Sequence, residues 1–340
     1  MKRISVFILA LLLLLPACGR IAPEPVIEIT TTIKEELTTE ASTEPGGESA
    51  EITWRTLDVN SAEGREAVQW LAEEHQQWEE SWENPQTEFP MGNDKTIAYK
   101  GEYNRDIVLR DNKTGKETML LETTYIGNAT TPEEAAADEV FWKSPLFVQA
   151  LDDRYFVYDW GGWEWRGDTG VYDTKNMRVI PIEWDKKYNE DEHFWGTRFC
   201  DPQIFADALY LTDASHGPYY GPVHLMYVDL RALDAVKPGQ SLIAVDILEG
   251  IPGVEDAQES NWHLVSQNER YFIIADTAVL RIYDLRQKKL ALELPASISG
   301  FDENESYWWP DSVIQRGDRV YWTDDWTGEA VNSLAEITLP

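Results

Sequence analysis

The sequence predicts an all-β fold in which four-stranded units repeat along the chain, with one amphipathic helix near the start of the folded part. Short runs of aliphatic and aromatic residues recur from residue 95 onward, and four of these runs end in aspartate. The intervals between these aspartates are 62, 56 and 55 residues, which indicates one repeated structural unit. Hydrophobic residues make up 43% of the 340 residues, so the chain can bury a core and global disorder is excluded.

Each unit has an apolar strand, a variable connection, an aliphatic strand ending in aspartate, a tight turn and a closing strand. The units cover residues 95–122, 154–183, 208–247, 270–295 and 319–340, and a further strand precedes most of them. The repeated acids are Asp111, Asp173, Asp229 and Asp284. Because an aspartate at the end of a strand can accept hydrogen bonds from the backbone that follows it, we interpret these residues as turn signals rather than catalytic groups.

Four strands in roughly 50–60 residues are what one blade of a β-propeller requires. A lone blade leaves both of its faces uncovered, so blades stack on their neighbours. Residues 51–340 accommodate about five blades, with six or seven as the alternative counts. A strand at 334–339 and another at 52–57 are predicted to share a blade, which would close the ring.

The units resemble the blades of bacterial β-propellers, broadly the TolB-like and YVTN-like groups. The resemblance covers about residues 90–340 and rests on the order of strand, aspartate, turn and strand in each unit. The glycine-histidine and tryptophan-aspartate signature of WD40-like repeats does not occur in register. A pair of β-sandwiches is the alternative fold, but it does not explain the regular interval between the aspartates.

The helix is predicted over about residues 60–83. Apolar and aromatic residues fall at helical spacing on one face, namely Val68, Leu71, His75, Trp78 and Trp82. Asn60 with Glu63 is the predicted N-cap and capping box, and Pro85 ends the element. We interpret His75 as a packed or boundary histidine rather than a ligand, and the tryptophans of this region, Trp70, Trp78 and Trp82, as the anchor of the helix on the β domain.

The N-terminus has the pattern of a secretory signal. Lys2 and Arg3 precede the apolar run Ile4–Leu15, which is too short to span a bilayer, since a spanning helix needs about 20 residues. The residues that follow, Leu15-Pro16-Ala17-Cys18-Gly19, resemble the lipobox of bacterial lipoproteins, although Pro16 departs from the usual small or aliphatic residue. The resemblance implies that residues 1–17 are removed and that Cys18 carries acyl chains such as palmitate, which would hold the protein on the extracytoplasmic face of the cell membrane. An ordinary secretory signal is the alternative.

Residues 18–50 are predicted to be a disordered tether ahead of the domain at 51–340. This segment is rich in Thr and Glu and has no aromatic residue, so it cannot bury enough apolar surface to offset the entropy of ordering.

Charge and cysteine content restrict the partners. Lys and Arg number 29 against 61 Asp and Glu, and a net charge of −32 excludes nucleic acid, whose phosphates require a basic surface. The same charge disfavours adhesion to anionic polymers and lipid head groups, and it leaves neutral glycans, small molecules, metal ions and basic protein segments as ligands. With two Cys in the sequence, neither a disulfide scaffold nor a Cys-rich zinc site is expected.

Aromatic residues in connections between strands are the main candidates for ligand binding. The segment Asp159–Asp168 holds three Trp, and further aromatic residues occur in other connections. The candidate binding residues are Trp160, Trp163, Trp165, Tyr219, Tyr220, Trp308, Trp309 and Trp326. Flat rings beside carboxylates can stack on sugars or hold a cation, while the alternative is that these side chains fill wedges between blades.

No strong catalytic motif is present: the sequence lacks the G-x-S-x-G elbow, the Walker loop, the G-x-G-x-x-G turn and H-E-x-x-H. We therefore expect a non-catalytic module for ligand binding, sensing or protein interaction. An extracellular glycan hydrolase or lyase with paired carboxylates is the alternative, with Asp159, Glu164 and Asp213 as candidates. A structural docking platform in a membrane complex is a third hypothesis. His216 and His224 share one loop and could converge, but solvated histidines are the favoured interpretation.

No cofactor is expected, with a divalent cation such as Ca²⁺ as the alternative. Two acidic segments carry suitable oxygen ligands but lack the EF-hand order. They contain Asp185, Asn189, Asp191 and Glu192, and Asp302, Glu303, Asn304 and Glu305.

Overall fold

Five β-sheets and one long α-helix form the described part of the chain. The structure is a computed structural model and describes residues 51–83, 85–92, 94–100, 106–125, 142–162, 165–166, 169–185, 199–213, 224–254, 262–275, 279–295, 313–325 and 327–340. These residues belong to a unit that spans Gly46–Pro340. The predicted signal peptide, Cys18 and the tether lie outside the described residues.

The first two sheets follow the chain order of their strands. Sheet 1 has the order β2 (Glu88–Pro90), β3 (Lys95–Lys100), β4 (Asp106–Asp111) and β5 (Glu117–Leu121). Sheet 2 has the order β6 (Thr124–Tyr125), β7 (Trp142–Ala150), β8 (Tyr155–Gly162), β10 (Gly170–Asp173) and β11 (Arg178–Ile180), with β9 (Trp165–Arg166) paired to β8. Neighbouring strands in both sheets are antiparallel.

The other three sheets use the same meander, and sheets 3 and 5 each add one strand from elsewhere in the chain. Sheet 3 has the order β13 (Phe199–Phe205), β14 (Ala208–Asp213), β15 (Leu225–Asp229), β16 (Leu242–Asp246) and β12 (Ile182–Trp184), with the 3-10 helix η1 (Leu230–Ala235) after β15. Sheet 4 has the order β17 (Trp262–Val265), β18 (Tyr271–Ala275), β19 (Val279–Asp284) and β20 (Lys289–Pro295). Sheet 5 has the order β21 (Val313–Arg316), β22 (Arg319–Thr323), β23 (Leu334–Thr338) and β1 (Thr53–Thr56).

The mostly β fold and the repeated antiparallel sheets confirm the coarse prediction. Each predicted unit supplies most of the strands of one sheet, and the expected preceding strands are β7, β13, β17 and β21. Sheet 1 also has such a strand, β2, which the sequence analysis did not assign.

Sheet 5 joins the two ends of the β domain, as predicted. Strand β1 pairs antiparallel with β23, with Thr53 opposite Thr338 and Thr56 opposite Ala335. A buried carboxylate strengthens this joint, since Glu336 accepts hydrogen bonds from Arg55 Nε and Arg319 Nη1, both at 2.9 Å.

The second unit divides its closing strand between two sheets. We predicted one closing strand before residue 183, but Pro181 separates β11 from β12. Proline has no N–H for the ladder, so a continuous strand is interrupted there. Strand β12 instead pairs in parallel with β16 of sheet 3, and the Pro181 carbonyl accepts a hydrogen bond from Leu242 N at 2.9 Å.

Consecutive sheets share apolar clusters because alternate residues of a strand face opposite sides. In β8, Phe156 belongs to the cluster shared with sheet 1, while Val157 belongs to the cluster shared with sheet 3. Similar clusters join sheet 3 to sheet 4 and sheet 4 to sheet 5. The core of the described residues is therefore a series of layers between neighbouring sheets.

Helix α1 spans Ala62–Glu83, and its N-cap differs from the prediction. Ser61 Oγ, not the Asn60 side chain, accepts the hydrogen bond from Gly64 N, at 2.9 Å. Asp58 explains the difference, because its side chain binds Asn60 N and its carbonyl binds Ser61 N, which keeps Asn60 in the preceding turn. Among the described residues, no helix is long and apolar enough to cross a membrane.

The helix packs on the face of sheet 5 that points away from sheet 4. Leu71 is 0% exposed and shares a cluster with Tyr321 and Leu334, whereas Trp322 belongs to the cluster with sheet 4. Trp70, one of the tryptophans predicted to anchor the helix, lies 5.5 Å from the Tyr321 ring. His75 is partly buried, as expected of a boundary residue, and the side chains of Trp78 and Trp82 lie outside the description.

Candidate functional site

The sheets have two chemically different ends. At one end, called the turn end, short hairpins join the first strand to the second and the turns after the repeated aspartates lead into the last strand. Because the strands alternate in direction, the remaining connections leave from the opposite end, called the loop end. Turn ends of neighbouring sheets contact each other: Tyr210 Oη donates to Glu269 Oε2 at 2.8 Å, and Gln267 N donates to Gln315 Oε1 at 3.1 Å.

The repeated aspartates start the turns, which confirms their interpretation as folding signals. Asp111 Oδ1 accepts hydrogen bonds from Lys113 N at 3.0 Å and Thr114 N at 2.8 Å. The same two-bond pattern follows Asp173 and Asp284, and Asp229 Oδ1 accepts from Arg231 N at 2.9 Å. These side chains replace the backbone acceptors that the turns lack.

Two of these aspartates are buried and paired with arginine. Arg154 Nε and Nη2 bind the two oxygens of Asp173, each at 2.8 Å, and Arg270 binds Asp284 Oδ2 through Nε and Nη2. Burial tends to raise the pKa of Asp173, but hydrogen bonds from Arg154 and Asn176 outweigh it, so the net pKa is well below the usual value. A carboxylate held ionised in this way stabilises the fold and is poorly suited to proton transfer.

A small cleft of about 190 Å³ lies at the turn end between sheets 2 and 3. Three of the polar groups that line it are engaged: Tyr155 Oη donates to Asp234 Oδ1 at 3.0 Å, and Arg231 pairs with Asp229. Burial, followed by the hydrogen bond to Asp234, raises the pKa of Tyr155 to about 12. The cleft is therefore part of the packing between the two sheets.

The connections at the loop end carry the aromatic residues, and those at the turn end carry none. Apart from the connection that contains helix α1, the segments that join the main strands at the loop end contain Tyr103, Phe141, Trp163, Trp165 (in the short strand β9), Tyr188, Phe194, Trp195, Tyr219, Tyr220, Phe301, Tyr307, Trp308, Trp309 and Trp326. All the predicted binding residues except Trp160 belong to this group. The strands that flank these segments therefore end at the loop end, and of the aromatic residues in the segments only the Trp165 backbone is described.

The first candidate segment is largely an extended hairpin rather than a loop. Strand β8 continues to Gly162, and β9 pairs back on it, with Gly161 opposite Arg166. Trp160 is partly buried and packs against the cluster between sheets 1 and 2, with its ring 6.0 Å from Tyr158. This contact is the one expected from the alternative hypothesis, in which aromatic side chains fill the space between blades. Trp165 lies in β9, and Trp163 lies outside the described residues.

The other candidate positions stay predictions. Tyr219, Tyr220, Trp308, Trp309 and Trp326 lie outside the described residues.

The carboxylates of the enzyme hypothesis are not brought together among the described side chains. Asp159 Oδ1 accepts hydrogen bonds from Trp160 N at 2.8 Å and Thr169 Oγ1 at 3.1 Å, which hold the base of the hairpin. Glu164 and the Asp213 side chain lie outside the description, although the Asp213 backbone ends β14.

A histidine–carboxylate pair at the loop end of sheet 3 was missed by the sequence analysis. His224 Nδ1 lies 2.9 Å from Asp246 Oδ2, and the Trp184 ring lies 4.9 Å from the imidazole in an edge-to-face arrangement. We expected His224 to be solvated, but it is partly buried. Asp246 lies 22 residues away at the end of a strand, and only the pairing of β15 with β16 brings the two together. His216 lies outside the described residues.

Within the described ranges, no group of three or more His, Cys, Asp and Glu residues is close enough to hold a metal ion. Of the two acidic segments considered for Ca²⁺, only Asp185 is described. The calcium alternative therefore stays a prediction for segments outside the description.

The described residues define a mostly β protein made of five sheets of four to six strands, antiparallel except for the pair β12 and β16. No family model matches the chain, and no curated relative matches it. Among solved structures, it is similar to one of two prolyl endopeptidases studied for inter-domain dynamics, with 12% identity, a TM-score of 0.33 and coverage of 82% of this chain and 42% of that one. It is also similar to TolB from Acinetobacter baumannii, with 11% identity, a TM-score of 0.30 and coverage of 72% and 51%.

A third similar structure is oligogalacturonate lyase from Vibrio parahaemolyticus, with 9% identity, a TM-score of 0.34 and coverage of 76% of this chain and 78% of that one. The chain thus spans about half or less of the length of the prolyl endopeptidase and TolB structures.

Proposed function

We propose that the protein is an extracytoplasmic lipoprotein whose sheets are the blades of a β-propeller, about five in number, and whose loop end binds a ligand without catalysis. The observation that carries the proposal is the one-sided distribution of aromatic residues between the two ends of the sheets. Aromatic side chains needed only for packing between sheets belong on the strands, as Phe156 and Tyr283 do. The further aromatic residues in the connections at the loop end favour a recognition surface there.

The engagement of the described acids supports a binding role over a catalytic one. The carboxylates with lowered pKa values include Asp111, Asp173 and Glu336, and each is held by turn amides or arginines. General acid catalysis by a carboxyl group requires the opposite change, a pKa raised toward 7. A glycan-active enzyme stays the alternative, and turnover that is abolished by one carboxylate substitution would establish it.

The proposed anchor is tested by replacing Cys18 with serine. We expect the wild-type protein to sediment with membranes and to enter the detergent phase on phase partition. The Cys18→Ser variant is expected in the soluble and aqueous fractions, because the remaining chain would have no acyl groups and two or more chains are needed for stable anchoring. Mass spectrometry of the mature N-terminal peptide supplies the direct measurement, and an unmodified Cys18 in the wild type would refute the anchor.

The proposed binding face is tested with a double variant, Trp163→Ala with Trp165→Ala. Calorimetric titration uses neutral oligosaccharides, a lysine-rich peptide and Ca²⁺ as probes. We expect at least one probe to bind the wild type and to bind the double variant about tenfold more weakly, since an aromatic contact contributes roughly 0.5–1.5 kcal/mol beyond its buried area.

Trp54→Ala is the matched control for this experiment. Trp54 is 37% exposed on the outer strand β1 of sheet 5, away from the connections at the loop end. Its replacement should leave the affinity unchanged. Equal affinity of the wild type and the double variant, or weakening by Trp54→Ala alone, would contradict a binding face at the loop end.

A further inference from the structure

Three strand ends bring a histidine, a carboxylate and an indole together at the loop end of sheet 3. His224 lies directly before β15, Asp246 ends β16 and Trp184 ends β12. The imidazole contacts Asp246 Oδ2 through Nδ1 at 2.9 Å and meets the indole at 4.9 Å with an interplanar angle of 69°. Strand β12 belongs to this sheet only because the chain crosses over at Pro181.

The contacts of Asp246 determine which nitrogen of His224 faces a ligand. The Asp246 side chain is 8% exposed, and its other oxygen accepts a hydrogen bond from Leu248 N at 2.9 Å. A carboxylate can only accept, so neutral His224 carries its proton on Nδ1 and has a lone pair on Nε2. Among the described residues, Nε2 of His224 has no hydrogen-bond partner, and the side chain is 20% exposed.

We infer that His224 and Trp184 form a subsite for one ring of a neutral sugar, with a ring hydroxyl donating to His224 Nε2 and the ring face packing near the indole. This inference rests on the proposed function, because it specifies the ligand of the same loop end. A cation gains little here, since both oxygens of Asp246 are already engaged. The net charge of −32 and the neighbouring Asp185 disfavour an anionic ligand.

The test distinguishes the proposed contact of His224 Nε2 with the sugar from the contact of Nδ1 with Asp246. The amide of His224→Asn can still donate to Asp246 but does not extend to the position of Nε2, whereas the amide oxygen of His224→Gln reaches it. Calorimetry uses the full chain and four neutral probes: cellohexaose, maltohexaose, xylohexaose and chitohexaose. We expect one probe to bind the wild type, His224→Asn to bind it about fivefold to tenfold more weakly, and His224→Gln to retain most of the affinity.

The control measurements keep folding and binding apart. Thermal unfolding should be similar for the wild type and His224→Asn, and Trp54→Ala should bind the sugar as the wild type does.

The outcomes distinguish this inference from the proposed function. Binding of all four sugars to His224→Asn with wild-type affinity, or binding of none of them to the wild type, overturns the inference. The proposed function still stands in either case if the lysine-rich peptide or Ca²⁺ binds and the Trp163→Ala and Trp165→Ala double variant weakens that binding.

Discussion

Replacing Asp173 by alanine is expected to lower the free energy of unfolding by about 3 kcal/mol. The carboxylate is 0% exposed, and it binds Arg154 through both oxygens and the amides that follow it in the turn. Its removal leaves the Arg154 guanidinium without its main partner and the turn amides without an acceptor. This loss of unfolding free energy is at the lower end of the range for breaking a buried ion pair, because Arg154 is partly exposed and keeps its contact with Asp234.

Urea unfolding of Asp173→Ala and of Asp111→Ala measures this effect with a matched control. Asp111 occupies the same position of the repeat and makes the same turn bonds, but it is exposed, and neither of its turn bonds involves arginine. Its replacement is expected to cost only about 1 kcal/mol, the contribution of a turn hydrogen bond. Equal losses of unfolding free energy in the two variants would show that the ion pair with Arg154 contributes no stability beyond that of the turn hydrogen bonds.

The same pair predicts the direction of the pH dependence. The pKa of Asp173 is lowered in the folded state, so its contribution to stability is complete above the unfolded value of about 3.9 and is lost as the pH falls from there toward the folded value. The stability difference between the wild type and Asp173→Ala should therefore be constant near neutral pH and shrink below about pH 4. A difference that grows on acidification would contradict this account.

Leu71→Ala in helix α1 is expected to destabilise the protein by about 3 kcal/mol. Leu71 is 0% exposed and lies in the cluster that joins the helix to Tyr321 and Leu334 of sheet 5. The substitution removes apolar contacts and leaves a cavity that rigid strands fill poorly. Because the helix packs on the sheet that also contains β1, we expect helix and sheet to unfold together.

Circular dichroism and tryptophan fluorescence during urea unfolding measure this second prediction. Gln69→Ala is the matched control, since Gln69 is exposed on the same helix and its side chain donates a hydrogen bond to exposed Glu73. Its effect on the free energy of unfolding should stay within about 0.5 kcal/mol. Separate transitions of the helix and sheet signals in the wild type, or a loss for Leu71→Ala as small as that of Gln69→Ala, would show that the helix is only loosely attached.

Much of the local structure was predictable because its signals lie within a few residues. Asp111 and Asp284 start turns whose amides are two and three residues away, so the sequence alone shows where these hairpins begin. The apolar spacing around Leu71 likewise predicts the packing face of the helix. The N-cap at Ser61 was one residue away from the prediction, because Asp58 competes for the same turn.

Features that depend on distant partners were not predictable in this way. Pro181 indicates a break in a strand, but nothing local shows that β12 then pairs with a strand some sixty residues later. The candidate sugar subsite has the same origin, since Trp184, His224 and Asp246 come from three strands of sheet 3 and have no common sequence pattern.

By itself, the sequence determined the repeat of four-stranded units, the turns after the aspartates, the apolar face of the helix and the composition of the connections. Each of these depends on neighbouring residues or on simple periodicity. The tertiary structure alone decided that β12 crosses to sheet 3, that Asp246 binds His224, and that the aromatic connections leave from one end of the sheets. These features depend on strand register and on the alternating direction of paired strands, which are set by contacts between residues far apart in the chain.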